Sequence, residues 1–187
     1  MTDFYYIVTG PHRSGTSMMM RTLRDSGMPV NYVAEADYQL INAVKLVDKS
    51  YAPNPLGFFE KGKMEPGKVV KRIAGALLTT KLLGPTHIVC MSRAREERKA
   101  SLSKWGFKGF EMLSRLDTDP IIKFNKFFNK EIASFTVVNY ADMLEDPERQ
   151  LKRLVKAGWP LVSIEEGAKV PTFDLYRHRS NAYYAQL

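Results

Sequence analysis

Phe4-Tyr-Tyr-Ile-Val-Thr-Gly10-Pro-His12-Arg13-Ser14-Gly15-Thr16-Ser17-Met-Met-Met20 is the stretch on which the reading of this chain turns. Apolar and β-prone residues at positions 4 to 8 predict a buried strand. Gly10-Pro11 punctuates it. From Thr16 onward the pattern turns helical, with Met19, Met20 and Leu23 on one side and Gly27 placed to cap the end. A strand, a glycine-bounded loop and a helix are how a backbone wraps a phosphate. Successive N–H groups converge on the anion, and the helix N-terminus adds its dipole.

The spacing from Gly10 to Gly15 matches the Walker A frame, but the next residues do not. Walker A requires Lys-Ser/Thr there, the lysine for the β/γ-phosphates and the hydroxyl for Mg²⁺. This chain has Thr16-Ser17, and its basic residue stands earlier, at Arg13. Such a loop suits a single 5′-phosphate with a fixed cation beside it better than a triphosphate and its metal. The plainer alternative is a basic surface loop before an ordinary helix. The glycine frame, the hydroxyls and the arginine occurring together after a strand argue against it.

Gly-Pro-His-Arg-Ser-Gly-Thr-Ser over residues 10–17 resembles the 5′-phosphosulfate-binding loop of sulfotransferases, in which Pro-Arg/Lys-Ser-Gly-Thr-Ser/Thr follows the first strand. His12 stands where bacterial members usually have Pro. The resemblance, to a short bacterial-type member, implies 3′-phosphoadenosine-5′-phosphosulfate (PAPS) as sulfuryl donor. It implies Arg13, Ser14, Gly15, Thr16 and Ser17 as the residues that hold the donor's 5′ end.

The 187 residues suffice for one domain, 1–187, with a real core. Alternating strand and helix signals run to the end, without repeat or linker. They predict a three-layer α/β/α fold, P-loop NTPase-like, with a mostly parallel central sheet. No run approaches the roughly 18 apolar residues of a membrane span. The first residues lack a basic stretch followed by an apolar one, so no secretory leader is expected. A single Cys90 cannot form an internal disulfide, which fits a reducing cytoplasm. The net charge of +8 favours an anionic partner. The basic residues are dispersed, with no basic arm, zinc-finger spacing or RNP-like motif, so dedicated nucleic-acid binding is not expected. The three histidines and one cysteine include no pair at metal-ligand spacing, and no metal is expected.

Further along, residues 28–33 read as extended and 35–48 as a helix. Tyr51-Ala-Pro-Asn-Pro-Leu-Gly57-Phe58-Phe59-Glu60 is irregular, because two prolines and a glycine rule out a regular element. A carboxylate beside aromatic walls can have a raised pKa and act as a base. The segment also resembles the Asn-Pro-x-Gly-aromatic-aromatic-Glu stretch of bacterial sulfotransferases. Val69-Val70-Lys71 reads as a second strand, with Lys71 and Arg72 at its end, where α/β ligand sites lie. Residues 73–83 read as a helix.

Thr86-His-Ile-Val-Cys-Met-Ser92-Arg93 reads as the next strand. A Walker B strand would end in an acid to organise Mg²⁺. The helix predicted over 94–104 presents Ser101, and Arg93 and Ser101 together can contact one phosphate. The pair resembles the family's 3′-phosphate-binding element. Lys104-Trp105-Gly-Phe107-Lys108-Gly-Phe110 is a basic-aromatic loop, and the aromatic run from Ile121 to Ile132 is core at helical spacing. Residues 135–140 read as a strand and 141–157 as a helical region ended by Gly158. Its Asp146-Pro147 and Gly158-Trp159-Pro160 resemble a family segment of structural role. The tail Leu175-Tyr-Arg177-His-Arg179 resembles a family stretch suited to clamping the donor's phosphates through Arg177 and Arg179.

The reading these residues support is in-line, metal-independent sulfuryl transfer from PAPS to a hydroxyl or amine. The acceptor is a small molecule, glycan or peptide. Arg13 is expected to face the bridging oxygen, with Glu60 as the first and His12 as the second candidate base. Two rivals stay open: a nucleotide kinase or NTPase of similar fold, and a nucleotide-binding relative that does not turn over.

Overall fold

Tyr5–Thr9 (β1), Val69–Lys71 (β2), Thr86–Ser92 (β3) and Ile132–Asn139 (β4) form one sheet with every pairing parallel, in the order β2-β1-β3-β4. The structure, a computed structural model, describes residues 3–31, 64–73, 77, 80–103 and 131–171. The central strands are buried on both faces, as parallel strands must be. Their alternation divides two cores. Tyr6, Val8, Val89 and Met91 face one side, and Ile7, Val70 and Ile88 the other.

The first face is covered by helix α1 (Thr16–Asp25), which lays Met19, Met20 and Leu23 against the sheet. Three later helices complete that layer: α3 (Tyr140–Glu145), α4 (Pro147–Lys156) and α5 (Ile164–Ala168). They contribute Met143, Leu144, Leu151 and Leu154, with Trp159 buried behind them against the Tyr6 ring at 5.2 Å. Full burial of each such side chain contributes about 1.5–3 kcal/mol. The opposite face packs under Met64, Leu77 and Leu82. Helix α2 (Arg95–Ser103) follows β3. Among the described residues no helix is long and apolar enough to cross a membrane.

Helix α1 ends where Gly27 adopts φ 89°. Its N–H donates to the Arg24 carbonyl at 2.9 Å, and the Met28 N–H to the Leu23 carbonyl at 3.0 Å. That pair of bonds is the Schellman closure a C′ glycine permits. The segment after it pairs only at Val30, as a bridge to Val69.

The structure differs from the sequence expectations at five places. The first strand is Tyr5–Thr9 rather than 4–8, with Phe4 partly exposed. The helix expected through residue 83 does not extend over 80–83. The Thr80 N–H turns back to the Leu77 carbonyl at 3.1 Å, and the chain must then straighten toward Gly84-Pro85 and β3. The single helix expected from 141 is two. Asp146, preceding Pro147, is driven out of helical geometry (φ −141°, ψ 76°), and its side chain caps α4 by accepting the Arg149 N–H. Helix α5 was not anticipated, although Ser163-Ile-Glu-Glu166 carries a cap spacing and Ser163 does cap it. The expected helix at 35–48 lies outside the described residues, as does the aromatic run from Ile121 except at its end, where Ile132 opens β4 instead of continuing a helix, so that strand runs Ile132–Asn139 rather than 135–140.

The chain passes from β1 to β2 on one side, then to β3 on the other side of β1. That reversal, at the carboxyl ends of β1 and β3, is where ligands of open α/β sheets bind. The loops that leave these two strands carry Arg13 and Arg93.

Candidate active site

The loop from Gly10 to Gly15 is shaped by close approach. A Cβ on Gly10 would lie 2.5 Å from the Met91 carbonyl oxygen and 2.5 Å from the Ser14 hydroxyl, so only glycine fits between β3 and the loop. At Gly15 (φ 99°) a Cβ would run into the Tyr140 ring. Arg13 takes φ 65°, the one non-glycine residue in the left-handed region among those described. Such strain persists only where the surroundings over-determine it. Gly15 is the N-cap of α1 and provides no side-chain cap. The first helical bond runs from the Met19 N–H to the Gly15 carbonyl, so the N–H groups of Thr16, Ser17 and Met18 point out of the helix end. An uncapped helix N-terminus beside cations is chemically suited to an anion.

The cations come from three elements. Lys71 ends β2, 4% exposed, and its Nζ donates to Ser17 Oγ at 2.9 Å. Position 16 lacks the lysine of a Walker loop, and β2 delivers an amine to the same helix end instead. Burial, then repulsion from Arg13 and Arg21, pulls the Lys71 pKa down to about 7. The Arg72 side chain turns back to the Lys71 carbonyl at 3.0 Å.

From β3, Arg93 is held on three sides. Its Nε meets Glu97 at 2.9 Å, its Nη1 donates to the Arg13 carbonyl at 3.3 Å, and its guanidinium lies 4.3 Å over the centre of the Tyr140 ring. Arg93 precedes α2, and Glu97 in the first turn of that helix meets it. Burial pushes the Tyr140 phenol up, opposed in part by Arg93 and Arg13.

Ser101, 1% exposed on α2, accepts a hydrogen bond from Arg13 Nε at 2.8 Å. Arg98, on the same helix face, donates from Nε to the His12 carbonyl at 3.0 Å. His12 itself is buried, Nε2 included. Ser14 is fully buried with its hydroxyl folded against Gly10. Its N–H donates to the Pro11 carbonyl at 3.2 Å.

The structure therefore brings Arg13, Ser14, Gly15, Thr16, Ser17, Arg93, Ser101 and His12 into one region. Glu60, Arg177 and Arg179 lie outside the described residues, as do Phe58, Phe59, Trp105 and Phe107. Four residues at the site were not singled out as site residues from sequence. Lys71, with Arg72, stands at a strand end where the sequence leaves a surface charge and a ligand contact equally open, and Tyr140 belongs to a segment whose resemblance implies a structural role. Glu97 and Arg98 carry no motif in the sequence, although Arg98 and Ser101 stand at helical spacing within the expected helix. Among the described residues no three His, Cys, Asp or Glu side chains gather as a metal-ligand set.

With this geometry in view, the chain compares with one solved structure in particular, the sulfotransferase STF9 from Mycobacterium avium. The two align over 96% of this chain and 70% of that one, with a TM-score of 0.53 and 12% sequence identity. The chain has a sulfotransferase-like fold. No family model matches its sequence, and no curated protein does. At this identity the likeness concerns the path of the backbone. Within a sulfotransferase-like fold, the chemistry has to be argued from the side chains present.

Proposed function

We propose that this chain is a sulfotransferase that takes its sulfuryl group from PAPS and passes it to a hydroxyl or amine. The observation that carries the proposal is the 2.8 Å hydrogen bond from Arg13 to Ser101. It joins the anion-binding end of α1 to the strand-end arginine and helix of β3-α2, so one nucleotide with phosphates at two positions can span both. The donor set fits such a ligand. It consists of outward N–H groups, two guanidinia and an ammonium, around a helix end with no side-chain cap. The Gly10 and Gly15 positions have no room for a Cβ that would push the loop off this shape.

When bound, PAPS supplies the group that is transferred: the sulfur–oxygen bond to the 5′-phosphate breaks as the bond to the acceptor forms. The chain's own residues orient and neutralise. The N–H groups of Thr16 and Ser17, with Lys71, hold the 5′ end. Arg13, beside them, stabilises charge developing on the leaving phosphate. Arg93 and Ser101 hold the 3′-phosphate, the group that distinguishes this donor from ADP or ATP. The acceptor proton goes to a base, a role worth about 10²–10⁴-fold in rate. Glu60 is the first candidate. His12 is second, because its Nε2 is buried and an acceptor would have to reach it through the loop.

The test is a thermal-shift comparison of adenosine 3′,5′-bisphosphate with Mg·ATP. A ligand at about 100 times its Kd stabilises the folded chain by about 2.7 kcal/mol, roughly 5–10 °C in Tm for a chain of this length. A clear shift with the bisphosphate and none with Mg·ATP supports the proposal. The reverse result makes the chain a nucleotide kinase or NTPase. Binding of the bisphosphate without transfer to any acceptor from a panel of phenols, sugars and tyrosyl peptides makes it a binding protein.

A further inference from the structure

Three hydrogen bonds lace the loop of β1 to helix α2 and its approach: Arg13 Nε to Ser101 Oγ at 2.8 Å, Arg93 Nη1 to the Arg13 carbonyl at 3.3 Å, and Arg98 Nε to the His12 carbonyl at 3.0 Å. Arg13 and Ser101 belong to the two anion positions themselves, and Arg93 stands at the second of them. Arg98 differs. It is 5% exposed, and it reaches the loop through a backbone carbonyl, one residue before the left-handed Arg13. A buried guanidinium is costly unless its donors are satisfied, and its planar, always-charged head makes it a rigid strut. Arg98 and Ser101 are three apart on one helix face, so the residue that props the loop and the hydroxyl that meets the loop's arginine move as one body.

We propose that Arg98 is a positioning residue that couples the two phosphate positions of the bound nucleotide. By holding the His12 carbonyl it ties the left-handed turn at Arg13 to the helix that carries Ser101. A ligand that engages Ser101 thereby steadies the loop for its 5′ end, and the converse follows because such coupling is reciprocal. The inference rests on the nucleotide reading above and goes beyond it by assigning the link between the two ends to a residue outside both.

The experiment measures the affinities of adenosine, adenosine 5′-phosphate, adenosine 3′-phosphate and adenosine 3′,5′-bisphosphate for the full chain. Calorimetry serves the tight ligands and ligand-detected NMR the weak ones. The four values form a cycle whose departure from additivity is the coupling. All four share one adenosine scaffold, so each phosphate is compared on the same anchor. In the wild-type chain the two phosphates together should strengthen binding at least fivefold more than the product of their separate effects. In Arg98→Met that factor should fall to within twofold of unity, while a purely structural loss would weaken every ligand alike and leave the factor in place. Arg98→Gln serves if the methionine variant does not fold. A wild-type factor of one overturns the proposal without any variant, and so does a wild-type-sized factor in either variant. If wild type binds no bisphosphate at all, the nucleotide reading fails first, and that result is distinct from an additive cycle.

Discussion

Lys71 Nζ sits 2.9 Å from Ser17 Oγ at the N-terminal end of α1, with a buried side chain and with Arg13 and Arg21 raising the local positive potential. Its pKa is lowered to about 7 by burial first and those two guanidinia second. An ammonium placed this way costs stability, a cost that a bound anion would offset. The sign follows directly. A lysine whose folded pKa lies below its unfolded value binds fewer protons folded than unfolded between about pH 7 and the ordinary lysine range, so stability rises with pH across that window. Below it the penalty is present in full.

Lys71→Met should therefore stabilise the ligand-free chain at pH 6 by on the order of 1 kcal/mol or more, read as a higher Tm, with the gain shrinking as pH climbs past about 7. The same variant should bind adenosine 3′,5′-bisphosphate about tenfold or more weakly, the scale of a lost charged hydrogen bond. Wild-type affinity should itself decline between pH 7 and 9 as the ammonium loses its proton. Paired melting and binding series over pH check both. A methionine variant no more stable than wild type at pH 6 would show that the ammonium carries no penalty there.

Ser101→Ala should lower bisphosphate affinity by roughly five- to tenfold, about 1–1.5 kcal/mol, and leave adenosine 5′-phosphate within about twofold. On the proposed reading the hydroxyl serves the 3′ position, and only a ligand with a phosphate there should feel its loss. Equal weakening of both ligands would assign Ser101 to holding Arg13 alone.

Gly15→Ala should cost about 1–3 kcal/mol of stability and most of the nucleotide affinity. Its φ of 99° is strained for any side chain, and the added methyl meets the Tyr140 ring that also carries the Arg93 guanidinium. Tyr140→Ala should reopen that space, so the double variant should recover part of the loss in a melting series. No recovery would mean that backbone strain, not the ring, sets the cost.

Glu60→Gln should reduce kcat by about 10²–10⁴-fold with bisphosphate affinity unchanged. Full activity would remove Glu60 as the base and pass the role to another group, His12 first.

His87 predicts a second pH dependence, far from the chemistry. Its ring is buried, stacked on Tyr6 at 5.3 Å, with Nδ1 2.7 Å from Ser134 Oγ. Burial lowers its pKa, and a hydrogen bond to the Ala157 backbone partly opposes the shift. A histidine held neutral contributes stability that is complete above the unfolded value, about 6.5, and declines as pH falls below it. Wild type should lose Tm between pH 7 and 5, and His87→Gln should show a smaller loss over that interval. Parallel slopes would place the acid sensitivity elsewhere.

Much of this molecule is local information. Residues 4 to 8 are continuously apolar or β-prone, and such a run is buried wherever it falls, so β1 was legible to within one residue. Met19, Met20 and Leu23 recur at helical spacing and Gly27 supplies the one conformation that closes the helix, so α1 and its end were legible too. The strand, loop and helix around the Gly10–Gly15 frame were legible as well, because they depend on residue types at fixed short spacings. The break at Asp146-Pro147 was equally local and was passed over.

What the tertiary structure alone decided is which distant side chains meet. The strand order β2-β1-β3-β4 sets the carboxyl ends of β1 and β3 side by side, and only then do Arg13 and Ser101, 88 positions apart, share a hydrogen bond. The same order brings Lys71 from β2 to the helix end where position 16 has no lysine, and puts the Tyr140 ring between Gly15 and Arg93. Composition and periodicity carry no trace of such pairings. They arise when the sheet buries both its faces and its register fixes which loop lies beside which.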